Sequence, residues 1–194
     1  MKKYKVISVT PAGRRKYLEI LIKYLLANRD IIDEHIFWVN TENKDDIDYM
    51  HMLVDSVPSF FRLIYSDISF DNNSSIYDFF KHCTDPDTIY IRFDDDVCWM
   101  DKDAVKNLVN FRVENQEPFL VFANIINNGV CNHIHQRFGC ISTYIGRCGY
   151  DAVDPIGWNS PIASAFIHDS FLKSLAKDDI QKYKFNSWAM WEYT

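Results

Sequence analysis

The first 115 residues alternate short apolar segments with segments of helical periodicity, and this alternation constrains the fold more than any other feature. Strands are predicted at 4–9, 36–39, 61–65 and 88–93, and helices at 14–27, 44–55, 74–83 and 101–113. Strands that alternate with helices favour a mostly parallel sheet with helices on its faces. The sequence therefore predicts an α/β fold with a mostly parallel central sheet flanked by helices.

The second half of the chain lacks this alternation. Strands are predicted at 119–123 and 162–167, and a short helix at 170–176. Between them lies a long stretch rich in asparagine and glycine, which we expect to be irregular, with His133 and His135 exposed in it. Long loops inside a domain are usually functional or mobile. We interpret 1–194 as a single domain, in which about 1–115 forms one half and about 116–194 a loop-rich second half.

Composition excludes several classes of function. The formal net charge is −6 with a pI of about 5.4, and no basic stripe is visible, so a nucleic acid polymer is not the expected partner. No apolar run approaches the length of a membrane span, and the N-terminus leads into a strand rather than a signal-peptide core. The five cysteines lack the CxxC spacing of a zinc site and are interpreted as reduced thiols. We expect a cytoplasmic protein, in the host cytoplasm if the source is a virus.

Three consecutive aspartates, Asp94, Asp95 and Asp96, follow the strand predicted at 88–93. Like charges at a strand end repel one another, so the cluster stabilises the fold little unless a cation binds there. Converging carboxylates suit Mg²⁺ or Mn²⁺, and ligands gather at the carboxyl ends of strands in open α/β sheets. The cluster therefore predicts a metal site, and an acidic turn that caps the next helix is the alternative.

The segment from Tyr90 to Val97 (YIRFDDDV) resembles the DDDV form of the DxD motif in metal-dependent glycosyltransferases of the GT-A fold. The turn from Thr10 to Arg14 is similar to the opening loop of that family, and the order of elements is similar over most of the chain. The resemblance implies a nucleotide-binding first half and an acceptor-binding second half. It also implies transfer of a sugar from a nucleotide-sugar donor to a hydroxyl of a carbohydrate or glycoconjugate, with Mn²⁺ or Mg²⁺ as cofactor, and we favour a UDP-sugar as the donor.

The resemblance assigns roles to the aspartates. The last aspartate of the family motif binds the metal directly, which makes Asp96 the principal ligand here and Asp94 the second, with Asp95 near the ribose or the sugar. Some members take a further ligand from a histidine late in the domain, which makes His168 a candidate, although a structural histidine is the alternative. A divalent cation would stabilise the negative charge that develops on a departing diphosphate.

The nucleotide contacts are expected in the loops that follow the first three strands. Small residues after the first strand allow a close approach, and an arginine there can stack on a base or bind phosphate, with a solvent-exposed side chain as the alternative. The candidate contacts are Thr10, Ala12, Gly13, Arg14, Asn40, Asp67, Asp94 and Asp95.

An inverting transfer requires a base that deprotonates the acceptor hydroxyl, and several late acids make inversion the favoured interpretation. Asp169, Asp154 and Asp151 are the candidates, together with Glu192, and a retaining transfer would need no such base. Two other classes stay open: a metal-dependent nucleotidyltransferase or phosphohydrolase, and a non-catalytic module that binds nucleotides or sugars.

Overall fold

Four strands and six α-helices form in the parts of the chain that this computed structural model describes, residues 4–66 and 74–185. The strands are β1 (Lys5–Ala12), β2 (Glu34–Val39), β3 (Phe61–Tyr65) and β4 (Thr88–Arg92). The helices are α1 (Arg15–Ala27), α2 (Lys44–Ser56), α3 (Ser74–Asp78), α4 (Ala104–Glu114), α5 (Gly129–Arg137) and α6 (Pro161–Ala176). Short 3₁₀ segments lie at Phe79–His82, Thr143–Ile145 and Gln181–Tyr183.

The four strands form one parallel sheet in the order β3-β2-β1-β4. The chain therefore winds outward from β1 to β3 and then returns to the other side of β1 as β4. This confirms the prediction of an α/β fold with a parallel sheet flanked by helices. The strand order reverses between β1 and β4, and such a switch point is where open α/β sheets form a crevice at the carboxyl ends of their strands.

Alternating side chains of the strands enter two separate cores, because successive residues of a strand point to opposite faces of the sheet. Val6 and Ala12 of β1 join the core formed with α1, α2 and α4. Ile7 and Val9 join a smaller core that contains Trp38 and the 3₁₀ segment after α3. Nearly all of β1 is buried, which explains why it reads as an almost continuous apolar run.

The sheet-covering helices follow the predicted apolar spacing. In α1 the buried side chains are Leu18, Leu21, Ile22 and Leu25, which recur on one helical face. Burying each such side chain contributes on the order of 1.5 to 3 kcal/mol. The strand β1 is longer than predicted, because Pro11 and Ala12 still pair with Trp38 and Val39 of β2 rather than forming a turn.

The prediction of two strands in the second half of the chain is wrong. Residues 119–123 are irregular, and the Phe119 side chain there is 92% exposed. The apolar run at 162–167 is the first part of α6, which continues to Ala176. The Ser160 hydroxyl caps this helix by accepting a hydrogen bond from the Ala163 N–H at 3.2 Å, and Pro161 lies in its first turn.

The prediction of an irregular loop between those two segments is also partly wrong. Its first part forms α5, which begins where the Asn128 side chain accepts a hydrogen bond from the Cys131 N–H at 3.1 Å. His133 is half-buried and His135 is completely buried, in contrast to the exposure predicted for both. In the sequence, Asn128 is the signal for the start of this helix. The apolar residues after Asn128 do not recur at a clear helical spacing, so the sequence alone does not predict the helix.

The chain divides into two compact units, residues 1–121 and 122–194. The first unit contains the parallel sheet with α1 to α4, and the second contains α5 and α6. Across the described ranges, none of the helices combines the length and the apolar character that crossing a membrane requires.

Candidate functional site

The segments that follow β1 and β4 meet at the carboxyl edge of the sheet. The Phe93 N–H donates to the Val9 carbonyl at 2.9 Å, which continues the pairing of the two strands just past β4. The Gly13 N–H then donates to Asp95 Oδ2 at 3.1 Å. The loop after β1 and the three aspartates after β4 are therefore held together at the switch point of the sheet.

An ion pair between Arg14 and Asp95 is the strongest link between these two loops. Arg14 Nε donates to both carboxylate oxygens of Asp95, at 3.0 and 3.2 Å, and Arg14 Nη2 also donates to Oδ1. Asp95 is only 5% exposed, so the guanidinium replaces the water that its carboxylate loses on burial. The hydrogen bond with Asp95 raises the pKa of Arg14 above its ordinary value, and the nearby Asp96 adds to that effect.

The neighbouring aspartates lie in different environments from Asp95. Asp96 Oδ2 is 3.0 Å from Arg14 Nη2, and the Asp96 side chain is 48% exposed. Asp94 accepts a hydrogen bond from Arg92 Nη2 at 2.7 Å, and its side chain is 61% exposed. Asp95 is thus buried within the protein, whereas Asp94 and Asp96 present carboxylate oxygens to solvent.

The start of α1 positions the guanidinium of Arg14. Its carbon lies 5.2 Å from the centre of the Tyr17 ring, one turn further along the helix, which is within the range of a cation–π contact. Gly13 must be a glycine for steric reasons, because a Cβ there would lie 2.8 Å from the Asn40 carbonyl oxygen. The loop after β1 therefore packs closely against the end of β2.

The other predicted nucleotide contacts differ in how accessible they are. Asn40, at the end of β2, accepts a hydrogen bond from the Ser75 hydroxyl at 2.6 Å and is half-buried. Thr10 and Ala12 are completely buried within β1, so their side chains take part in the packing of the sheet. Asp67 lies outside the described residues.

Of the proposed bases, Asp154 has the most extensive contacts. Its carboxylate accepts hydrogen bonds from the backbone N–H groups of Gly149, Ile156 and Gly157, at 2.8, 2.9 and 2.6 Å. Burial acts to raise the pKa of Asp154, but these three hydrogen bonds outweigh it and lower the pKa below its ordinary value. Asp154 thereby organises the turn from 149 to 157 in the second unit.

Glu192 lies outside the described residues, and the remaining candidates of the second unit lie on its surface. His168 and Asp169 are exposed on α6, where Asp169 pairs with Lys173 at 2.6 Å, so His168 does not follow a strand as predicted. Asp151 is exposed, and its carboxylate accepts from the Val153 N–H at 3.0 Å. Within residues 4–66 and 74–185, no three histidine, cysteine, aspartate or glutamate side chains are grouped so that they could hold a metal ion.

We expect Asp154→Ala to lower the free energy of unfolding by about 2 kcal/mol, because three backbone donors lose a charged acceptor. Asp151→Ala is the matched control and should stay within about 0.5 kcal/mol of the wild type, as surface changes usually do. Urea denaturation at neutral pH, followed by tryptophan fluorescence, measures both. Unchanged stability together with lost activity in Asp154→Ala would contradict a structural role and favour a catalytic one.

Two further residues of the site were not singled out from the sequence. Arg92 is the last residue of β4 and pairs with Asp94, and Tyr17 supports Arg14 from within α1. The signal for Arg92 is present in the sequence, because residues two apart at a strand end lie on the same side. Tyr17 follows Arg14 by three positions, which is the spacing of neighbours on a helix.

Comparison of the chain with protein-family models, with curated proteins and with solved structures finds no match. The description of the site therefore rests on the contacts within this protein. It consists of a buried carboxylate paired with an arginine across the switch point and two exposed carboxylates beside them.

Proposed function

We propose that this chain is a metal-dependent glycosyltransferase of the GT-A type. It would transfer a sugar from a nucleotide-sugar donor, with a UDP-sugar favoured, to a hydroxyl of a carbohydrate or glycoconjugate acceptor. One observation carries the proposal: the exposed carboxylates of Asp94 and Asp96 lie at the carboxyl end of β4, beside the loop that follows β1. Open α/β sheets bind their ligands at this position, and the DDDV segment resembles the metal-binding motif of the family.

The side chains at this edge fit a hard divalent cation, because carboxylate oxygens are the ligands that Mg²⁺ and Mn²⁺ prefer. Asp96 and Asp94 would hold the ion, and His168 is proposed as a further ligand by resemblance alone. When bound, the ion supplies positive charge that stabilises the departing nucleoside diphosphate.

The protein supplies a second positive charge through Arg14, which Asp95 fixes in place. Arg14 Nη1 makes no hydrogen bond to any residue of the described ranges, so its two N–H donors are available to an anionic ligand. A guanidinium binds phosphate oxygens through parallel N–H donors. In the proposed complex, Arg14 binds the diphosphate, while Gly13 and Asn40 line the adjoining nucleotide site.

If the reaction is inverting, a carboxylate would act as the base that activates the acceptor. Asp169 and Asp151 are exposed and can accept a proton from a hydroxyl, whereas the oxygens of Asp154 already accept three backbone hydrogen bonds. Asp169 and Asp151 are therefore the preferred candidates. The proposal includes a cytoplasmic location and excludes a nucleic acid polymer as partner, in line with the net charge of −6.

Product analysis tests this function. The protein is incubated with UDP-, GDP- and CMP-sugars in the presence and absence of Mn²⁺, and the released nucleotides are quantified by chromatography. We expect one donor to release its nucleoside diphosphate only with Mn²⁺, and Asp96→Asn to abolish that release. Asp48→Asn, which removes the same charge from the exposed face of α2, is the matched control and should keep it.

The other outcomes of the same assay distinguish the alternatives. Release of pyrophosphate or inorganic phosphate would replace the proposal with a nucleotidyltransferase or a phosphohydrolase. Binding of nucleotide without any turnover, including slow hydrolysis of the donor, would replace it with a non-catalytic binding module.

A further inference from the structure

Arg14 contacts two aspartates, but the two contacts are unequal. Asp95 is buried, receives three hydrogen bonds from the guanidinium and accepts one more from the Gly13 N–H. Asp96 shares a single contact with Nη2 at 3.0 Å, and its side chain is 48% exposed. The contact with Asp95 anchors the arginine, whereas the contact with Asp96 can be released at small cost.

This arrangement places a cation of the protein where the proposed metal ion would bind. An ion bound to an Asp96 oxygen would sit about 2 Å from that oxygen, close to the guanidinium that now contacts it. The two positive charges repel at this distance, so metal binding requires Nη2 to leave Asp96. Arg14 cannot leave Asp95 as easily, because an unpaired buried carboxylate is strongly unfavourable.

We propose that Arg14 is a built-in counter-cation that competes with the metal ion for Asp96 while it stays anchored on Asp95. The released N–H of Nη2 then finds a new acceptor in the diphosphate of the donor. Metal and nucleotide binding are thereby coupled, since each ligand favours the arrangement in which Nη2 has left Asp96. This inference rests on the proposed function and makes Arg14 a residue that binds the nucleotide and regulates access of the metal ion to Asp96.

The second arginine of the site, Arg92, is not anchored by a buried carboxylate among the described residues. Arg92 pairs with Asp94, and both side chains are substantially exposed, at 39% and 61%. Ion pairs between exposed side chains contribute little and rearrange freely. Competition with the metal ion is therefore expected from Arg14, which is anchored by a buried partner, and much less from Arg92.

A titration of Mn²⁺, with the free ion quantified by electron paramagnetic resonance, tests the proposal with and without UDP. Without nucleotide, we expect Arg14→Gln to bind Mn²⁺ about 5- to 10-fold more tightly than the wild type, because a competing charge is removed. We expect UDP to tighten Mn²⁺ binding by about 10-fold or more in the wild type and by less than about 3-fold in Arg14→Gln. Arg15→Gln is the matched control, since Arg15 pairs with Glu19 instead, and should behave as the wild type.

A second variant keeps the test decisive if Arg14→Gln is poorly folded by circular dichroism. Arg14→Lys keeps the charge but lacks the planar fork that bridges two carboxylates. We expect it to bind Mn²⁺ about 2- to 5-fold more tightly than the wild type, with reduced coupling to UDP.

The two proposals fail in different ways. If the wild type binds Mn²⁺ and neither Arg14 variant changes its affinity or its coupling to UDP, the role of Arg14 is overturned and the proposed function stands. If none of the proteins binds Mn²⁺ in the presence of UDP, both proposals are overturned.

Discussion

Asp95→Ala is expected to lower the free energy of unfolding by about 3 kcal/mol, whereas Asp96→Ala leaves it within about 0.5 kcal/mol of the wild type. Asp95 is buried and joins the loops after β1 and β4 through Arg14 and Gly13, so its loss removes every one of those hydrogen bonds. Asp96 is half-exposed and makes one ion pair. Urea denaturation of the two variants measures the difference.

The same two variants also separate stability from metal binding, because the variant of normal stability, Asp96→Ala, is the one expected to lose metal-dependent binding. Asp96→Ala is expected to weaken Mn²⁺-dependent nucleotide binding by about 100-fold or more, because it removes the principal carboxylate ligand, and losing even a partner of a metal ligand costs about 10- to 100-fold. Isothermal titration calorimetry with UDP and Mn²⁺ measures this loss in a protein of normal stability. Equal stability losses in both variants, or normal metal-dependent binding in Asp96→Ala, would show that the three aspartates are a structural turn.

The second large effect is a loss of stability in mild acid. His35 is completely buried in β2, where its Nδ1 is 2.7 Å from the Ser8 hydroxyl oxygen and its Nε2 has no hydrogen-bond partner among the described residues. Burial lowers the pKa of His35 to about 3. His135 of α5 is also buried, and burial lowers its pKa to about 4, although a contact with the Tyr183 backbone offsets part of that effect.

The direction of the pH dependence follows from these lowered pKa values. Below a pH of about 6.5 the unfolded chain binds a proton at each histidine that the folded protein does not bind, so stability falls as the pH falls. For each histidine, the free energy of unfolding falls by about 1.4 kcal/mol per pH unit until the pKa of the folded state is reached. At pH 5 this loss amounts to about 2 kcal/mol for each histidine.

Thermal or urea unfolding between pH 7 and pH 5 measures this effect. His35→Gln should be less stable at pH 7 but should lose about 2 kcal/mol less than the wild type on going to pH 5, because glutamine does not titrate. His168→Gln, at an exposed position on α6, should keep the full dependence of the wild type. An unchanged slope in His35→Gln would refute the assignment of the acid sensitivity to this buried ring.

The sequence predicts the first unit well because local and long-range signals agree there. The spacing of Leu18, Leu21, Ile22 and Leu25 indicates a helix, and those residues are buried in α1. In the second unit the segment from Ile162 to Ile167 is ambiguous, because five apolar residues in a run of six suit a buried strand or a buried helix equally. The serine and proline just before it were the signals that would have decided for the helix.

The candidate site is predictable only in part, for a related reason. The aspartates after β4 are visible in the sequence because they directly follow an apolar segment. The pairing of Arg14 with Asp95 joins residues 81 positions apart, and only the parallel pairing of β1 with β4 brings them together. The role of Asp154 as an acceptor of three backbone hydrogen bonds depends on how a turn folds around it, which no local pattern indicates.

A crystal structure of the wild-type protein with UDP and Mn²⁺, with data collected at the manganese absorption edge, tests the central claim most directly. We predict an anomalous peak about 2 Å from a carboxylate oxygen of Asp96. The UDP diphosphate should lie between that peak and Arg14. A peak at another place, or UDP bound away from the carboxyl ends of β1 and β4, would contradict the account.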